Sequence, residues 1–301
     1  MKEATDLSVL VKNSGEWLRG TGPESDIVIS SRIRLARNLA GFPFIRKCSP
    51  EDREKIERQV RSRLENLPDW DEIPYVDIAT LSEVDRQFLI DRIDDAIEGE
   101  VLYAFHNKFG YLTACPTNVG TGLRVSVMLH LPGLVITQQI EKVFRSMQRI
   151  NVTVRGLYGE GSQYTGDFYQ VSNQVTLGHT EKELLEMVGQ EVVPRIIDYE
   201  RKAREFLIDK GQQDLHDDVS RALGILSTAR KISSEETMHY LSKVRMGVNL
   251  GLIDDVQLAT INKLFIHTQP AHLQKLHGRV LTTSDRNVQR ASYLQRHLCG
   301  P

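Results

Sequence analysis

Arginines on segments that otherwise resemble strands and turns are the residues of this chain best suited to chemistry. Arg32 and Arg34 alternate with apolar residues, so a strand presents both guanidinium groups on one face. Arg124 and Arg155 lie in two further apolar segments. An arginine that faces inward is costly unless it meets an anion, and guanidinium suits bidentate phosphate recognition. Two interpretations follow: a shared site for a nucleotide triphosphate, or four arginines that each pair with a carboxylate or lie at a solvated strand edge.

The overall charge argues against a nucleic-acid protein. The chain has 301 residues, is 40% hydrophobic and has a formal net charge of -2, which is ordinary for a soluble globular protein of about two domains. Nucleic-acid binding usually requires a basic excess. A nucleic-acid module that uses Arg32, Arg34 and Arg37 is therefore the weakest hypothesis, and no direct nucleic-acid partner is expected.

Cysteines and apolar stretches indicate a cytoplasmic protein without a structural metal. Cys48, Cys115 and Cys299 are scattered and odd in number, which does not fit a disulfide framework, and no cluster has zinc-ligand spacing. No metal ligands are assigned. The polar start predicts no signal peptide, and the longest apolar stretch, residues 125–136, is too short to span a membrane. We expect no membrane partner.

Hydrophobic periodicity predicts a strand-containing region followed by helices. Strands are expected at residues 27–38, 111–114, 123–129, 152–157 and 168–177. Helices are expected at about 9–18, 49–67, 82–105, 132–150, 181–209, 214–230, 234–250, 255–266 and 284–298. These elements divide the chain into an N-terminal segment (1–25), an α+β domain (26–205) and a helical C-terminal domain (206–301).

Three motifs make the sequence recognisable: SSRIRLARN (30–38), CPTNVGTGLRVSVMLHLPGLV (115–135) and VRGLYGEGS (154–162). They closely resemble the phosphagen kinase superfamily, the ATP:guanidino phosphotransferases. From about residue 14 onward the chain looks most like the bacterial protein-arginine kinases of the McsB type. The resemblance implies a mixed, largely antiparallel sheet flanked by helices, apparently shortened here, and then an all-helical C-terminal domain.

The resemblance also implies ATP and Mg²⁺ as cofactors and a role for each motif. Arg32, Arg34, Arg124 and Arg155 would hold the phosphates, with Arg124 and Arg155 counted as catalytic. Cys115 would lie beside the substrate guanidinium, and Glu160 would orient it. The remaining ATP-binding residues implied are Ser30, Ser31, Ile33, Val125, Ser126, Val127, Met128, Gly156, Leu157, Tyr158 and Gly159.

One family segment is absent from this sequence. In the family, a stretch of some tens of residues with an Asn-Glu-Glu-Asp-type motif supplies a catalytic glutamate between helices that resemble residues 86–92 and 93–105. Here the chain runs straight through. Two hypotheses follow: an ATP-dependent protein-arginine kinase, whose activity the missing carboxylate puts in question, or a catalytically weak or inactive relative that serves as an ATP- or phosphoarginine-binding adaptor. A sequence that is itself incomplete would also explain the gap.

The C-terminal region carries a second family feature. Arg286, Asn287, Arg290 and Ala291 match a phosphoarginine-docking motif, except that Asn287 replaces an aspartate. Because asparagine lacks the charge that pairs with a guanidinium, discrimination for the arginyl part is in question. The resemblance further implies arginine-containing protein substrates, a zinc-binding activator protein, a stress-response transcriptional repressor, a Clp protease that removes marked proteins, and a homodimer.

Overall fold

The computed structural model describes residues 16–22, 24–44, 46–64, 102–156 and 165–298. The strands in these ranges are β1 (Val28–Leu35), β2 (Phe105–His106), β3 (Gly110–Tyr111), β4 (Leu123–His130), β5 (Val152–Gly156) and β6 (Phe168–Asn173). The helices are α1 (Pro50–Leu64), α2 (Pro132–Ile136), α3 (Ile140–Gln148), α4 (Glu181–Glu186), α5 (Val193–Thr228), α6 (Ser234–Asn249), α7 (Leu258–His267), α8 (Pro270–Leu276) and α9 (Thr283–Leu298).

A four-stranded antiparallel sheet with the order β1-β4-β6-β5 forms the centre of the first region. One face is apolar and packs against α2, α3 and the helical turns that follow β6. Its side chains include Val125, Val127 and Val171, which belong to one hydrophobic core. Burial of this face fixes the strand register, because a shift by one residue would turn every side chain to the other side.

A helical region follows the sheet and has a core of its own. The core is built from α5, α6, α7 and α9, and it also takes in Phe168 at the start of β6. Capping boxes at Thr180 and Ser233 begin α4 and α6, since each side chain satisfies a free N–H of the first turn. The predicted α+β fold, an antiparallel sheet flanked by helices and followed by a helical region, is confirmed.

Several predicted element boundaries differ from the structure. The single helix expected at 132–150 is two helices, because Gln138 adopts a left-handed conformation between them with φ 58°. The helices expected at 181–209 and 214–230 meet within α5, at a kink where the backbone angles of Gly211 are not helical. The predicted domain boundary at residue 205 lies shortly before this kink.

The prediction that the helix at 82–105 extends to Phe105 is wrong. Phe105 pairs with Tyr111 in the short hairpin of β2 and β3, and their rings meet edge to face. Most of that predicted helix, and all but the last residues of the helix expected at 9–18, lie outside the described residues. Helix α8 was not predicted.

Candidate functional site

Strand β1 presents the first two arginines to solvent. The side chains of Arg32 and Arg34 are exposed, whereas Ile33 and Leu35 between and after them pack against the core of the sheet. This is the alternation that the sequence predicts, and it follows from the two-residue period of a strand. The apolar residues hold the strand down, so the two guanidinium groups project from its opposite face.

Arg34 lies directly opposite Arg124. The antiparallel register of β1 and β4 pairs these two residues, and it pairs Arg32 with Ser126. Opposed residues in such a ladder have Cβ atoms about 4.5–5.5 Å apart, and like charges in that position destabilise the sheet. An anion between the two guanidinium groups would remove that penalty.

Strand β6 extends the same face toward Arg155. Ser126 pairs with Ser172 across β4 and β6, and Gln170 pairs with Arg155 across β6 and β5. Nη2 of Arg124 donates to Oγ of Ser172 at 3.2 Å, so this guanidinium extends from β4 to the neighbouring strand β6. Because side chains alternate along each strand, the register brings all four predicted arginines to one face of the sheet.

Asn173 supports Arg124 from the end of β6 and was not predicted from the sequence. Its Oδ1 accepts the backbone N–H of Val125 at 2.8 Å, and its Nδ2 donates to the carbonyl of Leu123 at 3.1 Å. The amide therefore holds the backbone on both sides of Arg124. A buried polar residue that ends an apolar strand was the available signal, since such a group needs partners.

Arg37, the third arginine of the first motif, has a different environment. It is buried, its Nη2 forms an ion pair with Glu181 at 2.5 Å, and its guanidinium carbon lies 3.8 Å from the centre of the Tyr111 ring. A guanidinium with a carboxylate and an aromatic face is a structural arginine. Arg37 therefore does not belong to the arginine face of the sheet, and its contacts support the fold.

Cys115 is exposed at the start of a 3-10 turn, Pro116–Asn118. Its Sγ lies 3.0 Å from Oγ1 of Thr117, and its carbonyl accepts a hydrogen bond from Oγ1 of Thr113 at 2.6 Å. Gly122, with φ 66°, then brings the chain into β4. A Cβ at Gly122 would lie 2.3 Å from the carbonyl oxygen of Ala36, so only glycine fits at this approach of the two strands.

The other predicted ATP-binding residues divide between the two faces of the sheet. Ile33, Val125 and Val127 turn their side chains into the core, so only their backbone faces the opposite side. Met128 packs partly against the core of the helical region. By strand alternation Ser30 and Ser126 share the arginine face, Ser31 does not, and Gly156 is buried at the end of β5. Leu157, Tyr158, Gly159 and Glu160 lie outside the described residues.

The predicted phosphoarginine-docking residues lie on α9, in the helical region. Arg290 is buried, and its Nε and Nη1 donate to the carbonyls of Thr268 and Ile232 at 2.8 and 3.0 Å. Nη1 also donates to Oδ1 of Asn287 at 2.7 Å. Arg286 is half-buried and donates to the carbonyl of Leu281. Ala291 belongs to the helical core.

Searches for a metal cluster and for a membrane span give no candidates in the described ranges. Among those residues, no group of three or more His, Cys, Asp or Glu side chains is arranged to hold a metal ion. None of the helices that the structure describes combines the length and the apolar character needed to cross a bilayer.

Family models match most of the chain. The ATP:guanido phosphotransferase C-terminal catalytic domain matches residues 80–203, and the protein-arginine kinase McsB C-terminal domain matches residues 212–300. Two solved structures also resemble the chain at 20% identity. A lombricine kinase structure covers 61% of this chain and 68% of its own, with a TM-score of 0.47. The duplicated taurocyamine kinase from Schistosoma mansoni covers 76% of this chain and 40% of its own, with a TM-score of 0.48.

Curated relatives extend the match to nearly the full length. A protein-arginine kinase from Halothermothrix orenii is 38% identical and covers 95% of this chain and 97% of its own. One from Symbiobacterium thermophilum is 39% identical over 94% of this chain and 96% of its own, and one from Moorella thermoacetica is 36% identical over 98% and 100%. Identity at this level over nearly the whole length means that the chain belongs to the protein-arginine kinase family, within the ATP:guanido phosphotransferases.

Proposed function

We propose that this protein transfers the γ-phosphoryl group of ATP to arginine side chains of proteins. The observation that carries the proposal is the pairing of Arg34 with Arg124 on the face that also bears Arg32 and Arg155. Like charges that lie directly opposite each other destabilise a sheet, so four cations on one face, two of them opposed, favour a bound anion. A triphosphate supplies that charge, and the family relationship supplies the class of reaction.

The arginine face fits what phosphoryl transfer requires from a protein. Little covalent chemistry is needed, so positioning and charge stabilisation account for most of the catalysis. Ser126 and Ser172 are small, buried and on the same face as the arginines, and Ser172 holds the Arg124 guanidinium. Mg²⁺ on the nucleotide would neutralise developing charge, and it usually binds through substrate phosphates with one or two carboxylates rather than in an all-protein cage.

The substrate guanidinium would approach from the Cys115 side. A guanidinium is protonated and a poor nucleophile, so it must be oriented and must lose a proton. We assign Cys115 to the edge of the guanidinium subsite and Glu160 to its orientation, as the family resemblance implies. We also assign Arg286 and Asn287 to phosphoarginine docking, with Arg290 as their support from within the helix.

The proposed cellular setting rests on the family. Arginine-containing proteins are the substrates. A zinc-binding activator, a stress-response repressor and a Clp protease are the proposed partners, the cytoplasm is the proposed location, and a homodimer is the proposed assembly. Marking of proteins for degradation would be the outcome.

A second candidate function has one specific observation in its favour. The alignment with the Halothermothrix orenii relative spans 341 positions, whereas this chain has 301 residues. At least 40 aligned positions, 341 less 301, therefore have no residue here. If they include the segment with the family's catalytic carboxylate, general-base help of roughly 10²–10⁴-fold is absent. The protein would then bind ATP or phosphoarginine as an adaptor.

Incubation with γ-labelled ATP, Mg²⁺ and an arginine-rich protein distinguishes the two functions. Acid-labile label on the protein, lost in Arg124→Ala, is the expected result for the kinase. ATP binding by calorimetry without label on any arginine-rich substrate would contradict the kinase and support the adaptor. Arg145→Ala is the matched control, because Arg145 is exposed on α3 and its ion pair in the described part of the chain is with Glu141 of the same helix.

A further inference from the structure

A buried chain of hydrogen bonds joins the helical region to one end of the arginine face. It contains Arg245 and Ser242 from α6, His130 at the end of β4, and Asp167 just before β6. The side chains of Arg245, Ser242 and His130 are fully buried, and Asp167 is half-buried. None of these residues has a role in the proposed phosphate or guanidinium sites.

The donor and acceptor roles along this chain are fixed by chemistry. A guanidinium only donates, so Nη1 of Arg245 donates to Nδ1 of His130 at 2.9 Å. His130 is then protonated on Nε2, which donates to Oγ of Ser242 at 2.8 Å. The hydroxyl of Ser242 donates in turn to Oδ2 of Asp167 at 2.5 Å. Burial and the nearby Arg245 charge hold the pKa of His130 well below its usual value, so the imidazole stays neutral.

Other contacts hold Arg245 and Asp167 in place. Arg245 also donates to the carbonyls of Ser25 and Asp26 at 2.6 and 2.8 Å, just before β1. The carbonyl of Asp167 accepts the N–H of Leu131 at 2.9 Å. Burial raises the pKa of Asp167, and the hydrogen bond from Ser242 opposes that rise. The network therefore reaches the ends of β1, β4 and β6 from a single helix.

The network lies on the face that carries the arginines. His130 pairs with Phe168 across β4 and β6, and strand alternation puts both on the side of Arg124 and Ser172. Phe168 packs into the core of the helical region. A Cβ at Gly166 would lie 3.1 Å from the Met238 side chain, so α6 closely abuts the chain that enters β6.

We infer that Ser242 is a positioning residue for phosphoryl transfer, because it ties helix α6 to the adjoining ends of β4 and β6 through His130 and Asp167. Those two strands carry Arg124 and its partner Ser172. Helix α6 of the C-terminal region is thus part of the catalytic unit. The inference rests on the proposed function of the arginine face. Misplacement of catalytic groups by about 1 Å can cost on the order of 10²-fold in rate, so loss of the Ser242 bonds matters even if the fold persists.

Three full-length variants test this inference. Ser242→Ala removes the bonds to both His130 and Asp167. Asp167→Asn keeps an acceptor for Ser242 and suits the left-handed conformation of residue 167, φ 57°, which asparagine tolerates. Thr237→Val is the matched control, because among the described residues this buried hydroxyl on α6 donates only to the Ser233 carbonyl, which caps the same helix. Steady-state kcat and KM for ATP are measured at a temperature where circular dichroism shows each variant folded.

The expected result is a kcat about 10-fold lower for Ser242→Ala with KM for ATP changed less than about 3-fold. Asp167→Asn should stay much closer to wild type, and Thr237→Val should match it. Wild-type kcat in folded Ser242→Ala would overturn the inference, as would equal losses in Ser242→Ala and Thr237→Val. If Ser242→Ala does not fold, Ser242→Cys, of equal heavy-atom count and with a weak donor, takes its place with the same expectations.

Failure of the proposed function gives a different result. A wild-type protein that leaves no label on any arginine-rich substrate contradicts the kinase assignment, whatever the variants do. The inference then fails with it, because it rests on that assignment. Labelling by the wild-type protein together with wild-type kcat in folded Ser242→Ala contradicts the inference alone and leaves the proposed function standing.

Discussion

Arginines occupy two contrasting environments in this protein. On the sheet, Arg32 and Arg34 are exposed on a strand whose other face is core. In the helical region, Arg245 and Arg290 are buried, and their guanidinium groups donate to backbone carbonyls in the segments that join helices or lead into β1. Both pairs carry the same charge. The difference teaches that the acceptors supplied by the fold decide whether an arginine supports structure or is available to a ligand.

Glu200 and Arg204 show how completely the helical arginines are satisfied. Glu200 is fully buried, accepts the N–H groups of Gly133 and Leu134 at 2.9 Å each, and pairs with Nε of Arg204 at 2.7 Å. Burial raises the pKa of Glu200, while Arg204 and the two N–H groups lower it. Nη1 of Arg204 also forms an ion pair with Oδ2 of Asp26 at 3.2 Å. Removal of one member would leave a buried partner alone, which is the costly case.

The strongest test of the contrast is Arg34→Ala. We expect kcat/KM to fall by about 10²–10³-fold, because one donor to developing charge is lost. The free energy of unfolding without nucleotide should stay unchanged or rise by up to about 1 kcal/mol, because the repulsion with Arg124 disappears. Activity assays and urea denaturation measure the two effects. Strong destabilisation with retained activity would place Arg34 with the structural arginines.

Arg245→Met should show the reverse pattern. The carbonyl of Ser25, Nδ1 of His130 and Oδ1 of Asn262 lose the donor that Arg245 provides, and each buried unsatisfied group costs about 1–3 kcal/mol. We expect a loss of roughly 3 kcal/mol or more in the free energy of unfolding, measured with urea. Arg221→Ala, which breaks an exposed ion pair with Asp217 on α5, should change it by less than about 1 kcal/mol. Equal losses of unfolding free energy in Arg245→Met and Arg221→Ala would contradict a structural role specific to the buried arginine.

Mild acid should destabilise the helical region through its buried histidines. Burial and nearby charges lower the pKa of His267 from 6.5 to about 4 and hold that of His130 well below 6.5. As pH falls from 6.5 toward 4, His267 becomes protonated in the unfolded chain but stays neutral in the folded chain. The stability that is present above pH 6.5 is therefore lost over this range. Urea unfolding at about pH 7 and about pH 5 checks this. His267→Gln should weaken the dependence, and an unaltered slope would contradict our assignment.

Asn287→Asp should have the smallest effect. The neutral bond from Arg290 to Oδ1 of residue 287, 2.7 Å long, would become charge-assisted and stabilise the protein by about 1 kcal/mol or less. A rise in Tm with unchanged basal activity is expected. If phosphoarginine binding, measured by calorimetry, also tightens, Arg286 and residue 287 form a ligand site as proposed. Destabilisation would show that the site is built around asparagine.

Local patterns in the sequence predicted the local features of the site. The alternation around Arg32 and Arg34 fixed their common face, because the side-chain period of a strand is two. The opposition of Arg34 and Arg124 depends on register between strands nearly ninety residues apart, which no local pattern contains. Asn173 was missed for the same reason, since its partners lie on β4.

Motif matching did not predict the burial or the hydrogen-bond partners of the residues it identified. Arg290 fits a docking motif, yet its buried guanidinium lies on carbonyls of Thr268 and Ile232, and only tertiary packing supplies those. Helical periodicity likewise continued to Phe105, where pairing with Tyr111 prevails over the local preference. The fold class was easier to predict because it depends on the sum of many such periodic signals.

Helix α5 runs for 36 residues, Val193–Thr228, from the sheet side into the helical bundle. The backbone angles at Gly211, φ -161° and ψ 41°, are not helical, so two arms of about 27 Å and about 26 Å, at 1.5 Å per residue, meet at a kink there. The first region alone is therefore a poor candidate for a minimal expression fragment, because trimming at residue 205 would cut the first arm and uncover Phe168 and His130. By the same reasoning, swapping C-terminal halves between relatives should succeed only when the junction preserves this helix and its neighbours.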